Sequence, residues 1–64
     1  MDKEIKKITK VLKVMANERR LLILKLLLEK DHQTVGEVAE KINLSFRSTS
    51  KHLFRLLEAD LLVT

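Results

Sequence analysis

The stretch Thr34 to Leu57, TVGEVAEKINLSFRSTSKHLFRLL, constrains the fold more than any other part of the chain. It packs two helix starts and one helix stop into a short span. Thr34 is a preferred N-cap, and Glu37, three residues on, can reach back to close a capping box. Val38, Ala39 and Ile42 then fall on one helical face. Asn43 tolerates a left-handed backbone and can end that helix, Leu44 is an apolar plug at the turn, and Ser45 is a preferred cap for the next helix. On this second helix Thr49, Leu53 and Leu56 make an inner stripe, with Arg47, Ser50, Lys51 and Phe54 around the other side. Burial of the Thr49 hydroxyl is tolerable, because a helix hydroxyl can bond back to the carbonyl four residues earlier.

The rest of the chain supports a mainly helical domain. There is no proline, one glycine (Gly36), and a 45% hydrophobic content dominated by helix formers. Sixty-four residues allow one small domain, expected over residues 1–64, that buries only about 60% of its unfolded surface. Helices are expected over about 2–15, 17–30, 34–43 and 45–58, with a short β-prone strand near 61–64. Asp2 caps the first helix, whose apolar face is Ile5, Ile8, Leu12 and Met15; its lysines form a solvated face. Asn17 caps the second, where Leu21 to Leu28 nearly encircle the axis and call for burial on most sides. Leu22 is a candidate for an extra buried contact.

Several function classes are excluded. The absence of cysteine removes disulfides, thiolate nucleophiles and cysteine metal sites. Asp31-His32 has no further ligand at a known spacing, so no metal and no cofactor is expected. Ser48, Ser50, His52 and Glu58 are the chemically capable side chains, but nothing resembles an oxyanion hole, so the chain is not read as an enzyme and no residue as catalytic. The apolar run Leu21 to Leu28 is too short to cross a bilayer and the N-terminus lacks a signal-peptide core, so a cytoplasmic protein is expected. Net charge is +4, and its placement is more telling. Between Ser45 and Leu57 stand Arg47, Lys51 and Arg55 with no acid, whereas the preceding helix carries Glu37 and Glu40 against Lys41. Positive charge gathers on the second helix of a helix-turn-helix, the geometry that enters a DNA major groove.

The chain also resembles a known family. Ala16-Asn17-Glu18-Arg19-Arg20-Leu21-Leu22-Ile23-Leu24 is similar to the opening A-D-P-T-R-L-x-I-L of the ArsR-like winged helix-turn-helix regulators. Ser45 to Leu53 is similar to their S-x-x-T-x-S-x-H-L, with Ser48 for the threonine, and Leu56, Ala59 and Leu61 match L-x-x-A-G-L, with Asp60 for the glycine. The resemblance covers roughly Ala16 to Val63 and implies a four-helix, winged helix-turn-helix-like DNA-binding domain with an incomplete wing. It also implies transcriptional regulation, in the first instance repression, by a homodimer on double-stranded DNA. The second wing strand and final dimerising helix of that family are absent from this sequence, which is therefore read as a short natural form or, preferentially, a piece of a longer protein. Metal sensing is not supported, because Val35 to Val38 lack the family's cysteine.

The expected DNA-contacting set is Thr34, Ser45, Phe46, Arg47, Ser48, Ser50, Lys51, His52 and Arg55. Arg47 suits guanine O6 and N7, Ser50 and Lys51 follow on its face, and Ser45, Ser48 and Thr34 suit phosphates at helix starts. His52 has two equal readings, a phosphate contact or an internal hydrogen bond. Phe46 either packs partly into the core, the favoured reading, or meets a thymine methyl. The expected dimer interface is Ile5, Ile8, Leu12 and Leu22. The rival function is a helix-turn-helix module that docks proteins, which exposed Phe54, Leu57 and Leu22 would suit.

Overall fold

A computed structural model describes residues 2–62, which form four helices: α1 Lys3–Met15, α2 Glu18–Glu29, α3 Val35–Lys41 and α4 Phe46–Glu58. Each start is fixed by the side chain before it. Asp2 accepts from the Glu4 amide, Asn17 from the Arg20 amide, Thr34 from the Glu37 amide and Ser45 from the Ser48 amide. At Thr34 the capping box is complete, with the Glu37 carboxylate accepting from the Thr34 N–H at 3.3 Å. The two stops are equally local. Asn43, at φ 54°, ends α3, and Asp60, at φ 59°, takes the left-handed position after α4. Asp is among the few residues that adopt this conformation without a large penalty, so the missing glycine does no damage there.

The core lies where α2, α3 and α4 meet. Ile23, Val38, Ile42 and Leu56 are fully enclosed, with Ala39, Ala59 and Thr49 beside them. Two polar clamps tie the loops to this core. Arg19 Nη1 donates to the Ile42 carbonyl at 3.2 Å, so the start of α2 holds the turn between α3 and α4. Gln33 Nε2 donates to the carbonyls of Leu26 and Lys30, both at 2.8 Å, and its Oε1 accepts from Lys41 Nζ at 2.9 Å, which joins the end of α2 to α3.

Three expectations are corrected by the packing. The second helix is not buried on most sides: only Ile23 is enclosed, Leu28 is 87% exposed and Leu21 is 48% exposed. Leu22, Leu24, Leu26 and Leu27 lean against the core half-buried, because one helix flanked by α1 and the α3–α4 pair cannot cover its whole circumference. Thr49 does not bond back to Ser45; its Oγ1 is fully buried with no partner, and the back-bond forms instead at Thr9, whose Oγ1 donates to the Ile5 carbonyl at 2.7 Å. Leu61 and Leu62 lie in a bend rather than a strand, and the remaining part of the expected strand, Val63 and Thr64, falls outside the described residues.

Candidate nucleic-acid interface

Helical spacing puts Arg47, Lys51 and Arg55 on one line along α4, each a turn from the next, and all three are exposed. No acid occupies the first turn of α4. Ser45 uses its Oγ to accept from the Ser48 amide at 3.1 Å, while the amides of Phe46 and Arg47 have no partner among the described residues. The positive end of this helix therefore faces outward with two free donors, the arrangement that anions favour. Arg55 stands somewhat apart, in a cleft that α4 forms with Lys6, Lys10 and Lys13 of α1.

The start of α3 is different although its cap is the same. Its Val35 and Gly36 amides also have no partner among the described residues, but the Glu37 carboxylate adds a negative charge beside them, and its bonds to Thr34, with Lys30 Nζ at 3.6 Å, hold its pKa below the usual glutamate value. What Thr34 retains for an outside anion is the proton of its hydroxyl.

The remaining expected contacts divide by face. Phe46 is 63% exposed and is not among the side chains packed against the core, so the expectation of partial core packing is corrected, although helical spacing aligns it with Thr49 and Leu53. Ser48 and His52, one turn apart, are half-buried on the flank towards the start of α2, and Ser50 is half-buried elsewhere on the helix. Phe54 is 61% exposed among the cations, whereas Leu57 is half-buried in an apolar hollow with Leu24, Leu27, Leu53 and Leu61. Ile5, Ile8 and Leu12 are all exposed on α1, which buries no residue.

His52 is held by a side chain that the sequence reading left out. Arg20 Nε donates to His52 Nδ1 at 3.3 Å, and Arg20 Nη1 donates to the Val14 carbonyl at 3.1 Å, so one guanidinium joins α1, α2 and α4. Desolvation, then the charges of Arg20, Arg55 and Arg19, push the His52 pKa below its ordinary value. A signal existed in the sequence: Arg19 and Arg20 sit in the first turn of a helix, against its dipole, and cations in that position need acceptors from elsewhere.

No group of three or more metal-ligating side chains assembles among the described residues, and no helix there is long and apolar enough to cross a membrane. A capped three-helix core presenting one cationic helix, with no acid before Glu58 at its end, defines a helix-turn-helix DNA-binding domain. The chain belongs to the winged helix-turn-helix DNA-binding family, whose model matches residues 17–63. It is similar to the transcriptional activator HlyU of Vibrio cholerae, with 45% identity over 53 residues, which is 83% of this chain and 48% of that protein. The chain thus spans about half the length of the curated relative it matches. No solved structure matches it.

Proposed function

We propose that this chain is the DNA-reading part of an ArsR-like transcriptional regulator, which lays α4 in the major groove of a specific double-stranded site. The observation that carries this reading is the open start of α4, with free amides at Phe46 and Arg47 and the line Arg47, Lys51 and Arg55 without an acid among them. Arg47 reads a base edge, Lys51 and Arg55 track phosphates, and Ser45, Ser48, Ser50 and Thr34 supply hydroxyl contacts. Phe46, exposed beside Arg47, is free to meet a thymine methyl.

Two copies act together. The exposed face Ile5, Ile8 and Leu12, with half-buried Leu22 near it, is proposed as the seam of a homodimer. A two-fold pair would space two α4 helices about 34–36 Å apart, for an inverted-repeat operator. Promoter occlusion, hence repression, is the primary mode proposed. Activation is the second reading, favoured by the name of the Vibrio cholerae relative.

The deciding experiment is fluorescence anisotropy of a mixed duplex pool across a salt series, with Arg47→Ala/Lys51→Ala alongside. Affinity falling linearly with log salt, and falling further in the variant, is the expected result. Binding that ignores salt, or a variant equal to the parent, would sink the reading in favour of a protein-docking module. Ile8→Asp tests the seam: sedimentation should shift towards monomer.

A further inference from the structure

Arg20 and His52 lie 32 residues apart in sequence yet are joined directly, and the join has a chemical consequence. A guanidinium is a donor only, so the nitrogen that receives Arg20 Nε–H must present a lone pair. That nitrogen is Nδ1. In a neutral imidazole the proton then resides on Nε2. Nε2 has no hydrogen-bond partner among the described residues, and it is not among their buried unpaired atoms, since only Thr49 Oγ1 is. It is a free donor on the flank of α4, one turn after Ser48.

We propose that Arg20 is a positioning residue for DNA binding: it locks His52 in the Nε2–H tautomer, so that His52 gives one hydrogen bond to a DNA phosphate as a neutral donor. The inference rests on the reading of α4 as the DNA-contacting helix. It also joins two roles that look exclusive in the sequence, because one nitrogen makes the internal bond and the other makes the phosphate bond. The neutral state is supported by the surroundings, for partial burial disfavours a charged ring first, and Arg20 of α2, Arg55 of α4 and Arg19 of α2 then oppose a further positive charge. Arg20 is itself held in place, since its Nη1 is anchored on the Val14 carbonyl at the end of α1.

A neutral donor has a signature that a cation lacks. Removing a phosphate-bound Lys lowers the salt slope by about one unit, whereas removing a neutral hydrogen bond weakens binding without changing the slope. Geometry gives a second signature. The side-chain amide of Gln places its nitrogen near the Nε2 position, and that of Asn places its nitrogen near Nδ1. His52→Gln should therefore keep affinity within about twofold, and His52→Asn should lose about fivefold, the scale of one neutral hydrogen bond, both with the parental slope.

The test pairs this with long-range proton–nitrogen spectra of the free chain, in which exposed His32 serves as the unrestrained reference. The expected result is a single Nε2–H tautomer for His52, which Arg20→Met shifts towards the mixed pattern of His32. A mixed or Nδ1–H signal in the parent overturns the lock, even if Arg20→Met fails to fold. Equal losses for His52→Gln and His52→Asn, or a reduced salt slope in either, overturn the neutral phosphate contact. An intact tautomer in a chain with no salt-dependent binding to the duplex pool overturns the reading of α4 and the phosphate contact with it. The spectrum tells that failure apart from a failure of the lock.

Discussion

The starts of α3 and α4 are built from the same parts and end up electrically opposite. Each has a hydroxyl cap, Thr34 or Ser45, accepting from the amide three residues on at 3.1 Å. Each turns a fully enclosed, β-branched side chain inward at the next position, Val38 or Thr49. The difference lies in the residue that donates the capped amide. In α3 it is Glu37, whose carboxylate returns to the Thr34 N–H and sets a negative charge at a helix end whose Val35 and Gly36 amides are themselves without partners among the described residues. In α4 it is Ser48, which carries no charge, and the helix end stays open to an outside anion. One side chain separates a helix that supports from a helix that reads.

The comparison can be broken in graded steps. The largest effect is expected from Arg47→Ala, beside the open amides of α4, which should cost about 2 kcal/mol of preference for the cognate site. Competition anisotropy with shuffled duplexes checks it, and an unchanged preference would remove base readout. Next is Ser48→Glu, which copies the α3 box into α4. DNA affinity should fall about tenfold as the anion site fills from within, while the melting temperature holds or rises. Equal loss of affinity and stability would count against the electrostatic account.

The third step swaps the inward residues. Thr49→Val makes α4 match α3 at this position and removes a buried hydroxyl without a partner, so denaturant unfolding should show a gain of about 1 kcal/mol. A loss there would reveal an unseen partner for Oγ1. The smallest effect is expected from Glu37→Gln. The native carboxylate has a pKa lowered from 4.5, so its contribution is fully present above that pH and fades as pH falls through the lower folded value. The variant should show a flatter acid limb in melting curves, and a parallel limb would disprove the role.

Much of this contrast is legible in the sequence because caps are local. Thr34, Glu37, Asn43 and Ser45 specify their own turns from neighbours three residues away or fewer, and the four helices follow. What is not legible depends on distance. Arg20 and His52 belong to different helices, and nothing within a turn of either names the other. The leucines of α2 are ambiguous for a related reason, since an all-round apolar helix demands cover without saying which sides one small domain can supply. Phe46 is not legible from periodicity, which aligns it with Thr49 and Leu53 but does not say whether the core reaches as far as the first position of the helix.

The first helix has a kinetic consequence. It adds no enclosed residue to the core, on which only its Val14 leans, and its polar ties are the Arg20 bond from α2 to the Val14 carbonyl and a long Lys10 Nζ bond to the Glu58 carbonyl of α4 at 3.4 Å. A segment so lightly anchored opens without unfolding the remainder, and its amides should exchange with deuterium well before those of Ile23, Val38 and Leu56. Whatever settles on Ile5, Ile8 and Leu12 would slow that exchange, which makes α1 a built-in clock for assembly.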